Sequence, residues 1–374
     1  MPIPASLKLV PERPGRALHK LECRAFQETG SVPTREIRLI FRTLIKLQSG
    51  CEEVQVFGRT RKWGDLMSRK FGHSHTCQED YVNGSERTTL KSSIMAFYLS
   101  QISVNSITIN HPQAVGLGVG LYLRFSAVDH SCRPNAFANF EGTKVCVRCI
   151  EPIEDEKDLR ISYVSPLDDT ATRRKNLLQK YLFECTCEAC LDIDQDQMKF
   201  SFKCVRGGCK GHMTRMQDNR FRCDYCGEKQ VTEDEIQTLN VAVEKTRRMM
   251  DISKKLKAQG RYAEIMVAGF ACLKDAVDFL HSDNLLIVEL RDCLLNACRM
   301  TQNWSVEAIQ CGIANLEPYR SFYGRHHPAL AILLYDIGDG YLTLNPRKAA
   351  KYLQQVRANC ATSLLFFPGV PQLN

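Results

Sequence analysis

Three thiols fall within six residues in Cys185-Thr186-Cys187-Glu188-Ala189-Cys190, and a second set follows as Cys204-x4-Cys209 and, after 13 residues, Cys223-x2-Cys226. A structural metal site takes four thiolate or imidazole ligands in a tetrahedron, with ligands paired at short spacing. A chain with this pattern is therefore constrained to fold around metal between residues 185 and 226. The second set is complete in itself. The first lacks a fourth ligand, which must come from elsewhere; Cys132, in the turn His130-Ser131-Cys132, is the candidate. A metal held that way would join stretches far apart in sequence and build one wall of any site between them.

The two cysteine pairs of the second set resemble a zinc ribbon. Arg206, Lys210, Arg215, Arg220, Phe221 and Arg222 lie between its knuckles, where a stabilising staple is expected rather than a contact surface. The other cysteines read differently. Cys146 and Cys149 sit in a strand-like run, where side chains three apart point to opposite faces. Cys272, Cys293, Cys298 and Cys311 lie among apolar residues at helical spacing and read as small buried hydrophobes. His19 and Cys23, spaced i, i+4, make half of a zinc site. His73, His75 and Cys77 alternate in a polar loop and are expected to be solvated.

The chain has 374 residues, 44% of them hydrophobic and 25% charged, the composition of a soluble globular protein of two or three domains. No run of 18 apolar residues suggests a membrane span. Residues Met1 to Val10 lack the apolar core of a secretory signal. Eighteen cysteines without such a signal point to a reducing compartment and to metal rather than disulfides. The net charge of +8 suits a solvated basic surface, and direct nucleic-acid binding is not expected.

Apolar spacing predicts an amphipathic helix over 36–48, with Ile37, Ile40, Phe41, Leu44 and Ile45 on one face. The stretch 50–86 reads as loop with one or two short helices, and Ser92 to Ile107 as helix. Gly118 to Tyr122, Lys144 to Ile150 and Leu159 to Tyr163 read as strands. From about residue 234 the spacing is helical to near the C-terminus. Tyr262, Trp304 and Pro346 recur every 42 residues, as stacked helical hairpins of the tetratricopeptide (TPR) kind would.

Asp129-His130-Ser131-Cys132-Arg133-Pro134-Asn135, then Ile161-Ser162-Tyr163, then Cys185 to Cys190, resemble in order and spacing the core of a SET domain with its zinc-binding post-SET tail. The likeness narrows to the SMYD family, lysine methyltransferases in which a MYND zinc finger is inserted into the SET domain. His19-Lys20-Leu21-Glu22-Cys23 looks like the last ligand pair of that finger. Asn105-Ser106 with Val115 to Tyr122 looks like the family's "NSF…GVGLYP" segment. Asp129 to Asn135 parallels "NHSCxPN", Asp158 to Tyr163 parallels "EELxISY", and Tyr181 to Cys187 parallels "YxFxCxC". Leu316 to Arg320 with His327-Pro328 resembles the C-terminal domain.

The resemblance implies an α+β protein: a small-stranded SET β-fold with a zinc-binding post-SET region, followed by an all-α TPR-like helical domain. The bounds it implies are 1–25 for a remnant of the MYND finger, 26–165 for SET (helical insert about 36–105, core about 106–165), 166–230 for the post-SET cluster and ribbon, and 231–374 for the helical domain. It implies S-adenosyl-L-methionine (AdoMet)-dependent methylation of a lysine in a histone tail or another protein, with a catalytically weak SET/zinc scaffold as the alternative. Tyr163 would be the catalytic tyrosine and Tyr181 would complete the lysine channel. Asn105, Asp129 and His130 would line the cofactor pocket, and Phe183 would stack on adenine. Zn2+ ligands would be Cys132, Cys185, Cys187 and Cys190; Cys204, Cys209, Cys223 and Cys226; and His19 with Cys23. A peptide or chaperone partner is expected on the helical domain, and residence in nucleus and cytoplasm.

Three departures bear on cofactor binding. The family's Gly-containing cofactor loop and first finger ligands have no counterpart before His19. Asp129 replaces an Asn, which removes a donor. Met67 and Arg69 stand in Asp65-Leu66-Met67-Ser68-Arg69 where the family carries an acid near the cofactor's ammonium. The Asp129 change is expected to be tolerated, Met67 and Arg69 are expected to weaken binding, and the first and third departures favour the scaffold alternative.

Overall fold

The computed structural model describes residues 20, 22–24, 27–28, 35–48, 53–62, 65–66, 102–110, 116–142, 144–216, 220–228 and 230–363. Its contacts divide the chain into two compact units. The first comprises Met1–Asp129, Asn139–Cys146 and Gln179–Leu182; the second comprises His130–Ala138, Val147–Leu178 and Phe183–Asn374.

In the first unit, helix α1 (Arg35–Gln48) forms where the apolar spacing predicts it. Ile40 is buried on it, but Ile37, expected on the same face, is 50% exposed. Glu22, whose side chain is fully buried, accepts hydrogen bonds from Arg38 Nε at 2.8 Å and Arg42 Nη2 at 2.5 Å. Burial raises the pKa of this carboxyl, but the bonds and charges of the two arginines outweigh it and hold the value at about 2.

The expected loop over 50–86 contains a β-hairpin. Strands β1 (Val54–Val56) and β2 (Arg59–Arg61) pair antiparallel around Phe57-Gly58, both at positive φ (51° and 72°). Two such residues make the turn whose twist matches that of the strands. The expected helix over Ser92–Ile107 is described only from Ile102 and stops at Asn105. Strand β3 (Ser106–Asn110) takes over and pairs antiparallel with β4 (Gly116–Leu121). The branched run Ile107-Thr108-Ile109 is stiff at χ1 and favours a pleated strand. Met67, Arg69, His73, His75 and Cys77 lie outside the described residues.

Four short strands follow: β5 (Asp129–His130), β6 (Ala136–Glu141), β7 (Lys144–Cys149) and β8 (Arg160–Ile161), with β5 paired to β8 and β6 to β7. Helix α2 (Thr170–Tyr181) leads to α3 (Glu188–Leu191) and α4 (Ile193–Met198). Strands β9 (Phe202–Lys203), β10 (His212–Arg215) and β11 (Phe221–Cys223) form an antiparallel sheet with β10 in the centre. Met213, Phe221 and Cys223 on one face of this sheet pack with Leu239.

The rest of the second unit is helical: α5 (Glu233–Ala258), α6 (Tyr262–Ala276), α7 (Leu285–Thr301), α8 (Val306–Ala314), α9 (Leu316–Tyr323), α10 (Pro328–Leu344) and α11 (Pro346–Ser363). The starts are written locally. Thr232 and Glu235 form a reciprocal capping box on α5, Asn284 caps α7, Ser305 caps α8, and His327 with Pro328 opens α10. The 42-residue spacing falls on the first residue of α6, just before α8, and on the first residue of α11. Ile287, Leu290, Leu294, Leu280, Cys272 and Cys311 share one buried cluster, and Cys298 is also fully buried. That agrees with reading these thiols as hydrophobes, and burial raises the pKa of each. At Gly312 a side chain would meet Ile337 Cγ1 at 2.8 Å, so α8 and α10 approach closely there because it has none.

Candidate functional site

His130-Ser131-Cys132 leaves β5 with its backbone held, since Ser131 N donates to Ile161 O at 3.0 Å. Asn135 anchors the far side of the same loop. Its Nδ2 donates to Asp158 O at 2.8 Å and its Oδ1 accepts from Arg160 N at 2.7 Å, so the loop fixes strand β8, which ends two residues before Tyr163. His130 makes the closest link. Its Nδ1 accepts the backbone N–H of Tyr163 at 3.0 Å, so the proton of the neutral ring sits on Nε2, 3.2 Å from Cys132 Sγ, and points at that sulfur. Burial pushes the imidazole pKa down to about 4, leaving the ring neutral near pH 7. The rings of Tyr163 and Phe183 pack on it, with centroids 5.1 Å and 5.8 Å away. All three side chains are half-buried, so a cluster of aromatic faces remains partly open to solvent.

The four sulfurs of Cys132, Cys185, Cys187 and Cys190 lie within 4.8 Å of one another. Cys132 Sγ is 4.0 Å from Cys185 Sγ and 3.5 Å from Cys190 Sγ. A tetrahedron of metal–sulfur bonds about 2.3 Å long has edges of about 3.8 Å, so these two spacings bracket that of a zinc-sized cation. Their acidities show the crowding. A hydrogen bond from Cys132 lowers the pKa of Cys187, and the same bond, with burial, raises that of Cys132. One sulfur thus holds charge while its neighbour keeps a proton, which a divalent cation would displace.

The second set is built on the three-stranded sheet. Cys204 Sγ is 3.6 Å from Cys226 Sγ, and Cys209 Sγ is 3.7 Å from Cys223 Sγ. Gly211 N donates to Cys209 Sγ at 3.4 Å. A Cβ at Gly211 would stand 2.5 Å from Tyr225 Cβ and 2.7 Å from Cys223 Sγ, so the close turn requires glycine. Both cysteine sets can therefore hold a metal ion. Cys146 and Cys149 join no ligand cluster among the described residues.

His19 lies outside the described residues. Cys23 is half-buried and belongs to no group of three ligating side chains among those described. Asn105 (buried), Asp129 (exposed) and Tyr181, whose ring lies under Lys180 Nζ at 5.0 Å, fall in the first unit. His130, Tyr163, Phe183 and both cysteine sets fall in the second. Between Tyr181 and Phe183, Leu182 holds φ +60°, an uncommon conformation for a branched side chain.

Several residues that support the site drew no notice in the sequence. Arg173 and Arg174 of α2 brace the first cysteine loop. Arg173 Nη2 donates to Ala189 O at 2.9 Å, and Arg174 donates to Cys185 O at 3.1 Å and Cys190 O at 3.3 Å. Lys199, almost fully buried, donates to Pro166 O at 3.1 Å and Asp168 O at 2.5 Å, just beyond Tyr163. Leu167 packs with Val288 and Phe322, so helices α7 and α9 grip the same segment. The only signal for Arg173 was a pair of arginines one helix before the cysteines, and charge on a helix ordinarily marks a solvated face.

No family model matches the chain. Among curated proteins it is similar to "Histone-lysine N-methyltransferase SMYD3" of Homo sapiens, 24% identical over 335 residues, covering 86% of this chain and 69% of that protein. It is 25% identical over 345 residues to "Histone-lysine N-methyltransferase ASHR1" of Arabidopsis thaliana, covering 86% and 70%. It is 22% identical over 342 residues to "N-lysine methyltransferase SMYD2-B" of Danio rerio, covering 89% and 73%.

Proposed function

We infer that this chain, a member of the SMYD family of lysine methyltransferases, moves a methyl group from AdoMet to the side-chain amine of a lysine in a protein substrate. The observation that carries the site assignment is the His130 imidazole, which bonds to the Tyr163 backbone, packs against Phe183 and faces Cys132 Sγ. When bound, AdoMet supplies an electrophilic methyl on a sulfonium, and the work left to the protein is alignment.

In this reading Phe183 offers its face to the adenine, and Asn105, Asp129 and His130 hold the rest of the cofactor. The half-buried aromatic rings around His130 suit a flat heteroaromatic ligand. Tyr163 and Tyr181 line the lysine channel. A free lysine has a pKa near 10.4 and is mostly protonated at pH 7. An aromatic channel disfavours the ammonium by desolvation and helps it lose its proton. The Tyr163 hydroxyl then orients the amine lone pair toward the methyl. Asp129 can accept from the cofactor's ammonium but cannot donate to its carboxylate.

Both four-cysteine sets hold zinc in this account, a reading the sulfur spacings support. His19 and Cys23 end a MYND finger within 1–25. SET occupies 26–165, the post-SET cluster and ribbon 166–230, and TPR-like hairpins 231–374. The substrate lysine lies in a histone tail or another protein, the helical domain receives a peptide or chaperone, and the protein resides in nucleus and cytoplasm.

Calorimetric titration of AdoMet into the zinc-loaded chain tests the function, alongside transfer of labelled methyl to histone and bulk protein substrates. Binding that Phe183→Ala weakens about tenfold, with transfer that Tyr163→Phe slows while binding persists, is the expected result. A folded, zinc-loaded chain that binds no AdoMet would leave it a SET/zinc scaffold.

A further inference from the structure

Arg173 is 2% exposed, yet no carboxylate forms an ion pair with it among the described residues, whereas the neighbouring Arg174 reaches Glu184 at 3.8 Å. Its Nη1 donates to Asp168 O at 2.5 Å, and its Nη2 to Thr170 Oγ1 at 2.7 Å, Ala189 O at 2.9 Å and Cys190 Sγ at 3.8 Å. Its buried Nε has no acceptor. Carbonyls and a hydroxyl satisfy donors but leave the positive charge uncompensated, and a buried charge without an opposite one is costly. Lys199 sits nearby, but Asp196, Asp169 and Asp168 act on it as counter-charges. The Asp168 carboxylate also acts on Arg173, but without an ion pair; the ionisable group within hydrogen-bond reach of the guanidinium is the sulfur of Cys190, at 3.8 Å.

Four thiolates around a divalent cation carry a net charge of −2. We propose that Arg173 is the counter-charge of the Cys132, Cys185, Cys187 and Cys190 centre. Its guanidinium offsets half of the excess negative charge, while its bonds to Asp168 O and Ala189 O tie the cysteine loop to the segment following Tyr163. Arg173 is thus a positioning residue, acting on the metal and on the segment after Tyr163 through other groups. Among the described residues the ribbon set has no such buried cation: Arg206, Lys210, Arg220 and Arg222 are all exposed. The inference rests on the reading of both sets as zinc sites.

The test is zinc release from the full chain into a chelating dye. The phase belonging to the first centre is the one that Cys190→Ser abolishes. Groups around metal ligands typically contribute 10- to 100-fold in affinity. Arg173→Gln keeps donors but loses the charge, and is expected to speed that phase about 10- to 100-fold while leaving the ribbon phase unchanged. Arg173→Lys keeps the charge but loses the fork, and is expected to restore most of the retention. Arg173→Gln releasing zinc at the wild-type rate would overturn the proposal. So would equal acceleration of both phases, which would mean general loosening of the fold. A wild-type chain showing no phase sensitive to Cys190→Ser would overturn the first metal centre and this inference together.

Discussion

His130 Nδ1 accepts the backbone N–H of Tyr163 at 3.0 Å, across 33 residues of sequence. Because that bond occupies one ring nitrogen, the other carries the proton and faces Cys132 Sγ at 3.2 Å. One neutral imidazole therefore stands between a sulfur that can ligate a metal and the proposed catalytic tyrosine.

His130→Ala removes the acceptor of a partly buried N–H and the donor facing Cys132. An unsatisfied buried backbone donor costs about 1–3 kcal/mol. Urea unfolding of the zinc-loaded protein should show a loss of about 2 kcal/mol, and both AdoMet binding and methyl transfer should fall. A variant as stable as wild type would mean the Tyr163 N–H finds water instead.

Gly211→Ala would place a Cβ 2.5–2.7 Å from Tyr225, Asp224 and Cys223. Overpacking of this kind costs about 1–3 kcal/mol. The second zinc should leave more readily and the melting temperature should drop, with AdoMet affinity unchanged within about twofold. Parallel loss of cofactor binding would place the ribbon in the active site, contrary to its reading as a staple.

Asp336 is buried beside Arg299, with its Oδ1 3.5 Å from Arg299 Nη1, and burial raises its pKa from 3.8 to about 6. A carboxyl whose folded pKa exceeds its unfolded value favours the native state at low pH, and the cost of its charge is fully present above the folded pKa. Asp336→Asn should therefore be more stable than wild type at pH 8, by about 1–3 kcal/mol before any loss from Arg299. The advantage should shrink as pH falls through 6 and vanish below the unfolded value of 3.8. Chemical denaturation at four pH values checks it, and a pH-independent difference would contradict the assignment.

Ligands close together in sequence were readable because the chain cannot carry them far apart. Cys204 with Cys209 and Cys223 with Cys226 form knuckles whose geometry is local, and the capped starts of α5, α7, α8 and α10 depend on neighbours within a turn. The hairpin at Phe57-Gly58 is equally local, and alternating Val54-Gln55-Val56 before a residue–glycine pair signals it. The strand from Ser106 replaces the end of the expected helix because an apolar run fits both periods and its branched residues favour the strand.

By itself the sequence determined the paired cysteines of the second set, the helical region and a motif order similar to that of lysine methyltransferases. Only the tertiary structure decided that Cys132 meets Cys185 and Cys190, which ring nitrogen of His130 carries the proton, and that Arg173 lies buried beside Cys190 with no ion pair among the described residues. Spacing and propensity act over a few residues. A ligand set completed 53 residues away, a histidine tautomer or a buried cation depends on what packing brings within hydrogen-bonding distance and on the water it excludes.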